Sequence, residues 1–218
     1  MSLYELKPAF QGLLRPLVKV LASIGVSANQ TTLGAIFLSF ACGSILYLQP
    51  DEPWALLQVP IVCLVRMAMN AIDGMLAREH NMKTDFGACL NELGDVISDA
   101  FIYLPFAALF DGAYAPLVVA VVLLATVSEM AGVVGVQIGA SRRYDGPAGK
   151  SDRAALFAIM AGLKGLGFIQ QEQGSVFKWL LLAEIALLLL TVVNRIRGAL
   201  REKEQTLIKK QRSVEKGK

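Results

Sequence analysis

Apolar residues run along this chain in long blocks, not in the short alternating stretches of a β-sheet protein. Six blocks approach or exceed the roughly twenty residues that a helix needs to cross a bilayer core. They extend from Asn29 to Leu48, Trp54 to Arg78, Gly87 to Phe110, Ala115 to Ser141, Asp152 to Ile169 and Val176 to Arg195. The pattern predicts an all-α integral membrane protein with six transmembrane helices. The fifth block is the shortest and carries Lys164 among its glycines and alanines. It is therefore expected to tilt, to break or to end near the outer surface.

Ahead of the first block the period changes. Leu3, Leu6, Phe10, Leu13, Leu14, Leu17 and Leu21 recur at helical spacings among Glu5, Lys7, Gln11, Arg15 and Lys19. This predicts an N-terminal amphipathic helix lying in the cytoplasmic interface. Ser27-Ala28-Asn29 supplies a cap where the first span begins. The expected organisation is a juxtamembrane helix over 1–26, a six-helix transmembrane domain over 27–200 and a charged cytoplasmic tail over 201–218, helical and fraying toward Lys218.

Composition narrows the class further. A chain that is 55% hydrophobic and 18% charged, with a mean hydropathy of +0.52, is too apolar for an ordinary soluble domain. The net charge of +3 hides an asymmetry, because 18 of the 21 Lys and Arg residues lie before the first span, in the second and fourth connections, or from Arg195 onward. Basic residues near span ends stay on the cytoplasmic side, so both termini are expected there. The basic tail suits anionic lipid headgroups or plain solvation, and not nucleic acid. Cys42, Cys63 and Cys89 fall inside or at the edges of spans without CxxC spacing. They read as structural filler, with no disulfide or zinc site. The start of the chain lacks the pattern of a cleaved signal, so the first span is expected to stay in place.

Ionisable side chains are costly inside a bilayer and point to function by default. Here they gather at two helix ends. Asn70, Asp73, Gly74, Ala77 and Arg78 close the second span, and Gly87, Asn91, Asp95 and Asp99 open the third. Residues three and four apart share a helix face, so two antiparallel helices can aim Asn70 and Asp73 at Asn91 and Asp95. Such oxygen donors suit Mg²⁺ or Mn²⁺, and those ions suit a diphosphate. Gly74, Ala77 and Gly87 either admit a flat ligand to the helix backbones or let the helices pack closely.

The run Asn70-x2-Asp73-Gly74-x2-Ala77-Arg78-x8-Gly87-x3-Asn91-x3-Asp95 resembles, spacing for spacing, the signature of the CDP-alcohol phosphatidyltransferases. The amphipathic start, the Ala28-Asn29-Gln30-Thr31-Thr32 entry, the six spans and the Gly149-Lys150 connection extend the resemblance over nearly the whole chain. It implies a bacterial inner-membrane enzyme, working as a homodimer, that moves a phosphatidyl group from CDP-diacylglycerol to an alcohol acceptor and releases CMP. In that family four aspartates hold two divalent ions on the diphosphate, and the last of them deprotonates the acceptor. The resemblance thus makes Asp73 and Asp95 metal ligands, sets Asn70 and Asn91 at the other two ligand positions, and makes Asp95 the catalytic base. Gly74, Ala77, Arg78 and Gly87 would receive the nucleotide.

Two departures reopen the chemistry. Asn70 and Asn91 stand where the family has carboxylates, which removes two negative charges. Asp99 or Glu92 could replace them, a single Mg²⁺ or Mn²⁺ could suffice, or catalysis could be lost. Asp99 is either a substitute metal ligand or the ion-pair partner of Arg66. Arg142, Arg143, Lys150 and Arg153 gather around Gly146-Pro147-Ala148-Gly149, where they bind an acceptor or lipid phosphate or simply set topology. Glu129 and Glu184 lie within spans and need partners such as Arg195 or Asn194. His80, the single histidine, is expected to be solvated. The rival readings are a CDP-lipid hydrolase and a catalytically silent CDP-lipid-binding protein. A transporter is disfavoured because the cluster lies at helix ends, away from the midplane.

Overall fold

The computed structural model describes residues 3–169 and 174–216. The expectations for residues 1–2, 170–173 and 217–218 lie outside the described residues, as do those for the side chains of residues 3–8 in the amphipathic pattern. Among the described residues there are seven α-helices, one 3₁₀ segment and no strand. The helices are α1 (Leu3–Ser23), α2 (Ala28–Leu48), α3 (Pro53–Glu79), α4 (Asp85–Tyr103), α5 (Ala115–Gln137), α6 (Lys150–Gly165) and α7 (Ser175–Lys216), with the 3₁₀ segment over Leu104–Gly112. Five of them, counting α4 with its extension to Phe110, are long and apolar enough to cross a bilayer. The chain is an all-α membrane protein.

The predicted fifth span corresponds to α6, which has only 16 residues. At 1.5 Å per residue it is about 24 Å long, short of the ~30 Å hydrocarbon core. Its two ends are nevertheless tied to different parts of the bundle. Lys150 bonds to Asp95 in the middle of α4, while Lys164 donates to Asp51 between α2 and α3 at 3.3 Å. The Lys164 ammonium also lies 4.6 Å from the centroid of the Phe110 ring, so the charge inside this block is satisfied where α6 ends.

The third span likewise departs from a single helix. Pro105 has no N–H to return to the Phe101 carbonyl, so the α-helical ladder cannot continue through it. The chain tightens into 3₁₀ turns from Leu104 onward. The freed Phe101 carbonyl faces α2 at Gly43, where an added Cβ would stand 1.9 Å from that oxygen. Only a glycine permits this approach.

The N-terminal helix α1 packs against the bundle. Val18 is buried with Ala28, Ile72, Met75 and Leu76, and Leu14 and Leu21 cover them. Arg15 pairs with Glu79 at 3.0 Å across the exposed edge. These contacts hold α1 over the end of α3. The larger core lies between the long helices, where the Tyr103 and Phe157 rings stack at 4.2 Å and Phe106 meets Phe157 edge-on. The last span and the charged segment after it form one helix, α7, of 42 residues, about 63 Å long.

Candidate active site

A tight connection sets α3 and α4 antiparallel. The amide of His80 closes α3 on the Leu76 carbonyl. Asn81 turns the chain with φ 57°, a left-handed conformation that asparagine tolerates better than most residues. Thr84 then caps α4, its hydroxyl accepting the Gly87 amide at 2.9 Å. The two halves of the spaced motif therefore face each other. A cavity of about 420 Å³ opens between them, and Asn70, Asp73, Gly74, Ala77, Arg78, Gly87, Asn91 and Asp95 all line it. The start of α2 contributes Asn29 and Thr32, and α1 contributes Phe10 and Gln11.

Neighbouring elements orient the two carboxylates. Ser27 and Gln30 form a reciprocal capping box at the start of α2, which places Thr32 one turn further on. Its hydroxyl donates to Asp73 Oδ2 at 3.0 Å in a buried setting. Asp95 is held twice: its carboxylate accepts a bond from Lys150 Nζ, and its backbone carbonyl accepts one from Arg66 Nη2 at 2.9 Å. The glycines admit close neighbours. A Cβ on Gly74 would lie 3.0 Å from Arg78 Nη2, and one on Gly87 would lie 2.6 Å from Asn29 Oδ1.

A second cavity of about 420 Å³ lies between α3 and α6. Its walls are mostly apolar, with Pro60, Leu64, Met67, Ala154, Ala158 and Ile159 among them, and Arg66, Asn70, Lys150 and Ser151 supply the polar part. Asn70 is thus a wall of both cavities.

Beneath the motif runs a network of buried and half-buried charges. Asp99 lies between Arg66 Nη1 at 2.6 Å and Arg153 Nη2 at 2.9 Å. Arg153 also reaches Glu129 at 3.0 Å, and Glu129 meets Arg142 at 3.0 Å and Arg195 at 3.2 Å. Arg142 pairs with Glu92 at 2.6 Å. Charges withdrawn from water need partners of this quality, because one left alone is strongly destabilising. Asp99 and Glu92 line no wall of the motif cavity, and guanidinium groups already engage both. Asp99 thus has the Arg66 partner that one of its two readings expected, and Arg153 as a second.

The four basic residues expected to bind phosphate separate in the same way. Arg142 and Arg153 belong to the buried network, and Arg143 is bonded to Asp145 and Glu202 at 2.7 Å each. Lys150 borders the apolar cavity beside Asn70. Glu129 finds Arg195, as anticipated, together with two further arginines, while Glu184 Oε1 has no hydrogen-bond partner among the described residues. Sequence reasoning passed over Phe10, Gln11 and the Thr32 bond to Asp73. A hydroxyl one helical turn after a capping residue, at the mouth of a polar motif, was the available signal.

Residues 26–193 match the family model for CDP-alcohol phosphatidyltransferase. The chain belongs to that family. Its similarity extends to the inner membrane protein YnbA of Escherichia coli K12, at 45% identity over 201 residues that cover 92% of this chain and 97% of YnbA. It is also similar to an archaetidylinositol phosphate synthase of Pyrococcus horikoshii, at 30% identity over 100 residues, 46% of this chain and 50% of the relative. The matched region begins just before α2, so the α1 residues that wall the cavity lie outside it.

The family's requirement for divalent metal meets an altered donor set in this member. Two carboxylates, Asp73 and Asp95, line the cavity, and Lys150 already bonds one of them. Among the described residues no three His, Cys, Asp or Glu side chains converge as a metal site. Asp73 and the side-chain amides of Asn70 and Asn91 line the same cavity and are the groups that would hold a hard cation sharing a substrate's phosphate oxygens.

Proposed function

We propose that this protein is a membrane phosphatidyltransferase that moves a phosphatidyl group from CDP-diacylglycerol, or a similar CDP-activated lipid, to an alcohol acceptor and releases CMP. One observation carries the reading. A cavity lined by all eight motif residues shares Asn70 with a more apolar cavity that opens between α3 and α6. A molecule with a nucleotide at one end, acyl chains at the other and a diphosphate between them matches that arrangement. Gly74, Ala77, Arg78 and Gly87 would hold the nucleotide.

In the reaction the acceptor oxygen attacks the lipid-side phosphorus, the bond from that phosphorus to the bridging oxygen breaks, and CMP leaves with the bridging oxygen. Asp95 takes the acceptor's proton. Thr32 keeps the Asp73 carboxylate turned toward the diphosphate. A Mg²⁺ or Mn²⁺ ion on Asp73, Asn70 and Asn91 would neutralise phosphate charge. Arg142, Arg143 and Arg153 are engaged by other carboxylates, so of these four basic residues Lys150 is the one beside Asp95. The similarity to an archaetidylinositol phosphate synthase makes phosphorylated polyols the first acceptors to try. The distribution of Lys and Arg supports placing both termini on the cytoplasmic side, and the family resemblance supports a homodimer.

The test is incubation of the purified protein with radiolabelled CDP-diacylglycerol, Mg²⁺ or Mn²⁺, and a panel of alcohols. CMP release that depends on one alcohol is the expected result. Release with water alone would establish a hydrolase instead. The silent lipid-binding reading draws on the two asparagines and the Lys150–Asp95 bond, and it predicts CDP-lipid binding with no CMP from any acceptor.

A further inference from the structure

We propose that the Lys150 ammonium takes the place of one divalent cation, so that the site handles a diphosphate with a fixed positive charge and at most one ion. The inference rests on the CDP-lipid reading and assigns a charge-bearing role to a residue of that site.

Position is the first support. Lys150 is bonded directly to the Asp95 carboxylate. A divalent ion on that oxygen would sit at about 2.0–2.1 Å, and the ammonium already stands within hydrogen-bond reach of the same atom. Two cationic centres so close together repel strongly in a partly dehydrated site. Lysine and metal therefore compete for Asp95. The two asparagines sharpen the competition, since neither Asn70 nor Asn91 adds charge that would hold a second ion against the lysine.

Preorganisation is the second. Lys150 is the first residue of α6, and the Gly149 amide ahead of it donates to Asp152 Oδ2 at 2.9 Å. The approach to this helix is clamped to α7. The Ala148 amide donates to Thr191 Oγ1 at 3.0 Å, and Gly146, with φ 125°, lies so close to Thr191 that a Cβ would fall 2.6 Å from its methyl group. The lysine thus extends from a pinned helix start, and it contacts the apolar cavity at the same wall as Asn70. A diphosphate linking the two cavities would pass this point.

The decisive measurement is the number of ions, read separately from turnover. Full-length protein in lipid nanodiscs is titrated with Mn²⁺ in the presence of CDP, and bound Mn²⁺ is counted by electron paramagnetic resonance. One ion per chain is expected. Lys150→Met should weaken CDP binding about tenfold or more, as loss of a charge-assisted contact does, and Lys150→Arg should recover most of it. The triple variant Asn70→Asp/Asn91→Asp/Lys150→Met should bind two ions. Two ions on the unaltered chain would overturn the proposal, as would unchanged CDP affinity in Lys150→Met. These outcomes leave the CDP-lipid reading standing. If the unaltered chain binds neither CDP nor CDP-diacylglycerol, that reading and this inference fall together.

Discussion

Arg66 grips α4 at two successive turns, with Nη1 2.6 Å from Asp99 Oδ1 and Nη2 donating to the Asp95 carbonyl at 2.9 Å. The residue therefore sets both the depth of α4 and the direction from which Asp95 enters the cavity. Asp99→Ala would leave Arg66 without its carboxylate and remove one of the two partners of Arg153. The expected loss is about 3–5 kcal/mol of stability, seen as a fall in thermal unfolding temperature in detergent. Mn²⁺ bound per folded chain should not change. A normal unfolding temperature combined with lost Mn²⁺ would return Asp99 to the metal site.

Thr32→Val tests the second carboxylate. Valine keeps the shape but not the donor, so Asp73 loses its 3.0 Å bond while the packing of α2 is retained. Turnover measured by CMP release should fall about tenfold, in line with ~1.5 kcal/mol for a hydrogen bond to a charged group. The unfolding temperature should stay within a few degrees of the parent.

Two glycine substitutions separate packing from ligand access. Gly43→Ala drives a Cβ to 1.9 Å from a backbone oxygen, which cannot move without displacing α4. Poor membrane accumulation of folded protein is expected. In Gly87→Ala the nearest atoms belong to the Asn29 and Thr84 side chains, which can shift. That variant should fold yet bind CDP weakly. If it folded and bound CDP as the parent does, Gly87 would have no place in the nucleotide pocket.

The connection after α5 should respond to acid. Hydrogen bonding from Arg143 holds the Asp145 carboxyl below the usual aspartate range. A depressed folded value means that the contact contributes fully above the ordinary value of about 3.9 and is lost as pH falls through the folded one. Hydrogen exchange over residues 141–149 should therefore stay slow from neutral pH to about pH 4 and quicken below it. Asp145→Asn should shrink that acid step to the part carried by Glu202, which bonds Ser141 and Arg143.

The apolar blocks and the spaced motif were legible because both are local: a span is one run, and each half of the motif lies on one helix. The same locality hid other features. Lys150 is 55 positions from Asp95, and nothing in its neighbourhood marks it as a partner. The three arginines on Glu129 come from the connection after α5, from α6 and from α7, so their convergence requires the packed bundle. For Asp99, Arg66 could be foreseen as a partner, whereas Arg153 could not. Pro105, where the third helix must change form, was passed over because it sits within a run of apolar residues.

The buried charge network also makes assembly a collective event. Arg66 belongs to α3, Glu92 and Asp99 to α4, Glu129 to α5, Arg153 to α6 and Arg195 to α7. The α3–α4 pair already joins Arg66 to Asp99, whereas Glu129 on α5 meets its full set of arginines only when α6 and α7 are in place. A bundle lacking α6 would leave Asp99 and Glu129 without Arg153, and one lacking α7 would leave Glu129 without Arg195. Each partial intermediate would thus keep some ions paired but lack contacts that these charges have in the whole bundle. The network is complete only when α6 and α7 have joined α3, α4 and α5.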